Sequence, residues 1–155
     1  MKPLKLNKHY TRIAKKLKLK AKPRLLLGDE ASSYIKKHKK DEKPQNGGYL
    51  FWTNTVAIIN KKRIGTLAHE MRHAYQYEHR MRKGYEFSRD TKAINNRCDE
   101  IIYLASRKER DANWYALRYL IFNTLAYKQI IEYIYKVLEG YICLLLAPFI
   151  KKIKY

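Results

Sequence analysis

The chain has 155 residues, enough for one domain with its own hydrophobic core. Its 34 Lys and Arg residues outnumber 14 Asp and Glu residues, which gives a formal net charge of +20 at pH 7. The two cysteines, Cys98 and Cys143, form no CxxC motif, which argues against a disulfide framework or a cysteine zinc site and is typical of a reducing cytoplasm.

The first 22 residues form a basic segment. Residues 1–45 hold 15 basic and 4 acidic residues, a formal charge of +11. The segment lacks the apolar core of a secretory signal, and its apolar residues have the spacing of a short amphipathic helix. These residues are Leu6, Tyr10, Ile13 and Leu17. Such a helix can lie along a phosphate backbone or an anionic bilayer, or it can dock by its apolar side with its lysines in solvent.

A small sheet is predicted from the next forty residues. Arg24–Leu27 is an apolar run followed by turn residues, Asp29–His38 has the pattern of a brief helix, and residues 39–48 form a polar loop. Residues 49–52 and 55–59 indicate a hairpin whose second strand leads into the next helix, with Asn60 as its N-cap. A strand in that position predicts a sheet edge beside the helix, to which an extended peptide can add.

Residues 64–76 contain the pattern His-Glu-x-x-His. His69 and His73 are four positions apart, so on a helix their Cβ atoms lie about 5–6 Å apart on one face and both side chains can bind one zinc ion. Glu70 can reach the remaining coordination position, where a water molecule would bind, and accept its proton. Apolar residues at helical spacing predict a core-facing stripe beside the histidines. The structural alternative is a surface helix with two solvated histidines.

A catalytic zinc site needs a third protein ligand. The best candidate is Glu109, in a helical stretch where Ala105, Ala112 and Ala116 share its side and would let the backbone approach the first helix. Asn113, one turn after Glu109, is a candidate to hydrogen-bond a ligating imidazole and fix its tautomer. Four other residues stay open as rival ligands: Asp111, Glu100, Asp99 and His79. Glu109 can also be read as part of a solvated charged helix.

The two motifs HEMRHAYQ and ERDANWYA, beginning at His69 and Glu109, resemble the active site of gluzincin-type metallopeptidases of the ImmA/IrrE kind. These small proteins are often found in phages and mobile elements. The resemblance implies one Zn²⁺ ion held by His69, His73 and Glu109, with Glu70 as the general base. The SprT-like proteases share HExxH and work on DNA, but they usually take a third His, and no His follows His79 in this sequence.

No single residue stands out as the group that would stabilise the oxyanion of a peptide-hydrolysis intermediate. The sequence offers several tyrosines near the two motifs and two arginines as alternatives. They are Tyr75, Tyr77, Tyr85, Tyr103, Tyr115 and Tyr119, with Arg72 and Arg110.

Mainly helical structure is predicted for the rest of the chain. Gly84 is expected to end the zinc helix, and a helix is expected from Arg97 through Leu120. Residues 122–138 predict another packed helix, followed by a separate apolar segment at residues 141–150. Ten residues are too few to span a bilayer as a helix, which needs about 20. We therefore expect a core helix or docked tail and no membrane contact, with an interfacial anchor as the alternative.

These patterns together predict an α+β fold, a minimal zincin-like domain with a small sheet of about three strands packed on a helical bundle. One metallopeptidase-like domain is expected over residues 1–155, divided into a basic segment 1–22, a catalytic core 23–120 and a C-terminal helical segment 121–155. The expected function is that of a cytoplasmic zinc endopeptidase acting on a protein or peptide substrate. The alternative is a basic protein that binds nucleic acid through its N-terminal segment and has a structural or vestigial zinc site, or a DNA-associated protease.

Overall fold

A computed structural model describes residues 3–38, 46–79 and 97–154 of the chain. Its helices are α1 Pro3–Leu17, α2 Asp29–His38, α3 Ile64–Glu78, α4 Arg97–Leu104, α5 Arg107–Asn123 and α6 Tyr127–Lys154. Its strands are β1 Arg24–Leu27, β2 Gly47–Leu50 and β3 Thr55–Ile58, and a 3₁₀ turn, Phe51–Thr53, joins β2 to β3. The predicted α+β class, with a small three-stranded sheet packed on helices, is confirmed.

The sheet has the order β1-β3-β2, so β3 is its central strand. It pairs parallel with β1 and antiparallel with β2, and all four of its side chains are buried. The strand that leads into α3 is therefore not itself a sheet edge. The edge strand that contacts α3 is β2. Its Gly47 allows the approach, because an added Cβ would lie 2.9 Å from the Thr66 side chain of α3.

Helix α1 forms most of the basic segment, and its apolar side packs on α3. Leu6, Ile13 and Leu17 are buried in the main core, as an amphipathic helix requires. The lysines at the end of the helix stay exposed. Helix α1 is thus part of the folded core, and its basic side is the side that faces solvent.

Helix α3 begins at Ile64 and ends at Glu78. The apolar stripe predicted for it is buried and includes Leu67 and Met71. The predicted N-cap was wrong, because the Asn60 side chain accepts a hydrogen bond from the Lys62 backbone in the preceding turn, before the helix starts. The prediction that Gly84 ends this helix was wrong, because the helix ends six residues earlier at Glu78 with His79 as its C-cap. The loop predicted after Gly84 lies outside the described residues.

The helix predicted from Arg97 through Leu120 is divided into α4 and α5 by Ser106. This residue has an extended backbone conformation, and its side-chain oxygen accepts a hydrogen bond from the Glu109 backbone N–H. An N-cap of this kind starts a new helix. The division therefore fixes the first turn of α5, where Glu109 lies.

Helix α6 is continuous through Gly140, so the prediction of a helix and a separate ten-residue segment was wrong. Gly140 is buried where α6 passes the Leu104 carbonyl and the Arg110 side chain. Among the described residues, Tyr127–Ile150 is long and apolar enough to cross a membrane, and 28% of its most apolar window is buried. Core helices of soluble proteins can have the same length and composition, although such helices are mostly buried.

Candidate metal centre

Helices α3 and α5 lie against each other and bring together the two sequence motifs. The α5 side chains predicted to allow this approach, Ala112 and Ala116, are fully buried. Small side chains at a helix contact let the two backbones come close. The Ser106 cap sets the start of α5, so Glu109 in its first turn points at the histidine face of α3.

The three predicted ligands converge at this contact. Nε2 of His69 lies 3.3 Å from Oε2 of Glu109, and Nε2 of His73 lies 3.3 Å from Oε1 of the same carboxylate. The two Nε2 atoms are 3.0 Å apart. His73 and Glu109 are buried, and His69 is partly exposed. Solvent can therefore reach the cluster at His69, whereas His73 and Glu109 are shielded from solvent.

The donor set of this cluster fits a divalent cation. Its three ligand atoms lie within 4.8 Å of one another, and within the described ranges no other group of three His, Cys, Asp or Glu residues has this spacing. Oε1 of Glu109 is buried and makes no hydrogen bond. Two imidazole nitrogens and one carboxylate are the protein ligands of one class of catalytic zinc site, in which water or substrate takes the fourth position.

The charges of the metal-free cluster are coupled. Burial opposes charge on His73, but the Glu109 carboxylate, with Glu70 and Gln76, raises the net pKa of His73 above its usual value. Burial likewise opposes charge on Glu109, yet the two histidines hold the pKa of this carboxyl group well below its usual value. In the absence of metal, His73 and Glu109 therefore each favour the charged form of the other. A bound cation would take the place of the imidazolium proton.

Gln76 fixes the tautomer of His73. Its side-chain Nε2 donates to the Lys108 carbonyl at 3.1 Å and to Oδ2 of Asp111 at 2.7 Å. Both partners only accept, so Oε1 of Gln76 must face Nδ1 of His73, which lies 2.8 Å away. Nδ1 then carries the hydrogen, and Nε2 of the neutral ring is left with a lone pair for a metal. Sequence reasoning missed this residue, although its i+3 spacing from His73 was a usable signal.

Asn113 was the residue predicted for this supporting hydrogen bond. It is buried on α5, one turn after Glu109. Nδ1 of His73 is held by Gln76 instead, and Nδ1 of His69 has no hydrogen-bond partner among the described residues. The structure therefore gives the supporting role to a residue of α3 and does not give it to Asn113.

The rival ligands are engaged elsewhere or exposed. Asp111 accepts two hydrogen bonds from the Arg72 guanidinium, at 2.8 and 3.0 Å, and burial of the carboxyl group is outweighed by Arg72 and Gln76, so its pKa is lowered. Nδ1 of His79 lies 3.1 Å from the Tyr75 carbonyl, and Glu100 is exposed on α4. The side chain of Asp99 lies outside the described part of the chain.

Glu70 and Tyr133 lie beside the cluster. Glu70 is 9% exposed, and its charge acts on both His73 and Tyr133. Tyr133 belongs to α6, is buried against Gly65 at the start of α3, and its ring centroid lies 6.5 Å from that of His69. The sequence candidates for an oxyanion group did not include Tyr133, because its position depends on how α6 packs.

The candidate tyrosines named from the sequence have other contacts. Tyr77 packs against Tyr49 and Phe51. The Tyr119 hydroxyl group lies 2.9 Å from Nδ1 of His9 on α1. Tyr85 lies outside the described residues. None of these contacts assigns an oxyanion role.

Comparison of the chain with protein-family models, with curated proteins and with solved structures gave no match. The resemblance to the ImmA/IrrE metallopeptidases therefore rests on the two motifs. The convergence of His69, His73 and Glu109 is the structural observation that accompanies it.

Proposed function

We propose that this chain is a zinc-dependent endopeptidase of the gluzincin type that hydrolyses a protein substrate. The observation that carries the proposal is the approach of His69, His73 and Glu109 to within 4.8 Å, with Glu70 next to His69 on α3. Two motifs that lie more than thirty residues apart in the sequence meet at this point with the donor set that the resemblance implies.

Each side chain of the site has a defined task in this proposal. His69, His73 and Glu109 would hold the zinc ion, and Gln76 keeps His73 in the tautomer that leaves Nε2 free to bind it. A zinc ion in such a site polarises the scissile carbonyl and lowers the pKa of a bound water. The Glu70 carboxylate accepts a proton from the attacking water and then passes it to the nitrogen of the leaving amine.

The substrate that fits this arrangement is an extended segment of a protein. Strand β2 pairs with β3 on one side, and no strand among the described residues pairs with its other side. It also contacts α3, the helix that holds both histidines. An extended peptide can add to such an edge through main-chain hydrogen bonds, which would hold its backbone near the site.

We place this activity in the cytoplasm. Cys143 is a free, buried thiol, as expected for a protein of a reducing compartment. A protein that works there would meet both unfolded polypeptide segments and nucleic acids.

Replacement of the proposed base tests the mechanism. Glu70→Gln keeps the size of the side chain and removes its basicity, so we expect bound zinc to stay at the wild-type level while peptide hydrolysis falls at least about a hundredfold. Zinc content is measured by elemental mass spectrometry. Hydrolysis is measured by mass spectrometry on a mixture of unstructured peptides.

The matched control is Glu139→Gln, which makes the same change at an exposed position of α6. It is expected to leave both zinc content and hydrolysis unchanged. Full activity of Glu70→Gln would exclude Glu70 as the base. Purified wild-type protein that takes up no zinc would overturn the proposed function.

A further inference from the structure

A groove of about 540 Å³ lies on the side of α5 where the end of α1 and the outer face of α3 meet it. Four cationic side chains line it: Lys16, Lys18, Arg72 and Arg118. Its volume is in the range of small-molecule and cofactor sites, about 300–1,000 Å³. The metal cluster lies on another face of α3, so the groove is a separate site.

The groove lining carries a net positive charge. Asp111 is its single acidic lining residue, and both carboxylate oxygens of Asp111 accept hydrogen bonds from Arg72. No ion pair within the described ranges engages Lys18 or Arg118. Lys16 donates to the Asn123 side chain at 2.9 Å, and this amide does not neutralise its charge. Three positive charges therefore remain at the groove for a ligand.

Aromatic side chains are placed between these charges. Trp114 is 49% exposed and Phe122 is 75% exposed, although both are large apolar residues of α5. The hydroxyl group of Tyr115 is buried in the same region and has no hydrogen-bond partner among the described residues. The groove thus offers the exposed apolar faces of Trp114 and Phe122, which belong to none of the buried core clusters among the described residues.

Part of the groove wall is already ordered. The guanidinium of Arg72 lies 4.4 Å from the ring centroid of Tyr75 and 5.4 Å from that of Tyr115. Tyr75 in turn stacks on His79 with a centroid distance of 4.0 Å. Residues held in this way lose little further freedom when a ligand binds, which favours binding.

We propose that this groove binds single-stranded nucleic acid. Lys16, Lys18 and Arg118 would contact phosphate groups, and unpaired bases would stack on Trp114 and Phe122. A positive groove lined with aromatic faces is the arrangement by which proteins bind single strands without sequence preference. An acidic peptide would use the charges and leave the aromatic faces uncovered, and a bilayer surface would not enter a groove.

The test is fluorescence anisotropy of a fluorescein-labelled twelve-nucleotide oligothymidine with the full chain, measured both with and without added zinc. Trp114→Ala and Phe122→Ala are each expected to weaken binding about fivefold to a hundredfold, because each removes a stacking surface. Arg118→Ala is expected to weaken binding and to reduce the slope of log affinity against log salt by about 0.7, the value for one phosphate contact on a single strand.

Two matched controls lie outside the groove. Lys36→Ala removes an exposed lysine of α2, and Tyr135→Ala removes a 68% exposed aromatic residue of α6. Both should bind the oligonucleotide as the wild type does. Circular dichroism shows whether each variant is folded.

Three results would overturn the proposal. The first is unchanged oligonucleotide affinity of the groove variants. The second is a loss with Arg118→Ala but with neither aromatic variant, which would indicate a general anion site. The third is binding of duplex DNA, thymidine monophosphate or anionic vesicles as tightly as the oligonucleotide, with the same loss of affinity in the Trp114→Ala, Phe122→Ala and Arg118→Ala variants. Binding is measured without peptide substrate, so failure of this proposal leaves the peptidase proposal standing, and the reverse also holds.

Discussion

At the residue scale, the Gln76 side chain links His73 of the metal cluster to helix α5, where it donates hydrogen bonds to the Lys108 carbonyl and to Asp111. We expect Gln76→Ala to weaken zinc binding about tenfold to a hundredfold, because Nδ1 of His73 loses the acceptor that fixes its tautomer. The measurement is competition for zinc with a chromogenic chelator.

Gln129→Ala is the control for this prediction. It removes an amide that accepts from the Gly65 backbone and donates to the Lys62 carbonyl, at the far end of α3. It should lower stability and leave zinc affinity unchanged. If the two variants bind zinc equally well, Gln76 has no role in positioning His73.

The His73–Glu109 pair gives the metal-free protein a specific dependence on pH. Because the pKa of Glu109 is lowered in the folded protein, the ionised carboxylate stabilises the fold fully at pH values above 4.5, the usual pKa of a Glu side chain. This contribution is lost as the pH falls through the lowered pKa. The raised pKa of His73 means that its stabilisation is present below 6.5 and is lost as pH rises through the raised pKa. The pair should therefore stabilise the metal-free fold most between about pH 4.5 and 6.5.

Urea unfolding of chelator-treated protein across this range measures the effect. The free energy of unfolding of wild type minus that of Glu109→Gln should pass through a maximum between these two values. A difference that does not vary with pH would show that the two side chains are not paired in solution.

At the element scale, two helical glycines are expected to behave in opposite ways. A methyl group at Gly65 would overlap with Cε2 of Tyr133, a buried ring that cannot easily move. We expect Gly65→Ala to lower the free energy of unfolding by about 1–3 kcal/mol. A methyl group at Gly140 would meet the flexible Arg110 side chain at 3.0 Å.

The strain at Gly140 should be offset by the better helix propensity of alanine, about 1 kcal/mol. We therefore expect Gly140→Ala to be near neutral or slightly stabilising. Chemical denaturation of the two variants side by side measures the contrast. Equal destabilisation would mean that α6 does not run continuously through Gly140 beside Arg110.

The helices illustrate what local sequence could and could not predict. The signal for the division between α4 and α5 was present, since Ser106 and Glu109 have the spacing of a capping box. The continuity of α6 was not readable, because Gly140 looks like a helix end until its contact with Leu104 and Arg110 is known. The order of the three strands was likewise fixed by packing and left no local signal.

In the candidate site, too, some residues could be predicted from local sequence and others could not. His69, Glu70 and His73 depend on i, i+4 spacing within one helix, so the sequence alone could place them together. Glu109 could be proposed because small residues around it allow a close helix contact. Tyr133 could not be proposed, since it comes from a distant helix that reaches α3 only in the folded chain.

At the scale of the whole molecule, the net charge of +20 works against compactness. Added salt screens this repulsion, so raising NaCl from about 20 to 200 mM should raise the melting temperature by roughly 2–4 °C, which corresponds to about 1 kcal/mol. The measurement is thermal unfolding of the zinc-loaded protein. The variant Lys36→Glu with Lys37→Glu, on the exposed side of α2, should show a smaller increase. A melting temperature that falls with salt would mean that attractive ion pairs outweigh the repulsion.

Asp111 lies between the proposed metal site and the proposed nucleic-acid groove. One of its oxygens accepts hydrogen bonds from both Arg72, in the groove wall, and Gln76, which orients His73. If a bound phosphate drew Arg72 away from Asp111, the Asp111 carboxylate would lose its positive partner, and its hydrogen bond with Gln76 would change. Binding at the groove would then affect the orientation of His73 through Gln76. Thermodynamic reciprocity then applies: whatever factor an oligonucleotide imposes on zinc affinity, zinc imposes on oligonucleotide affinity.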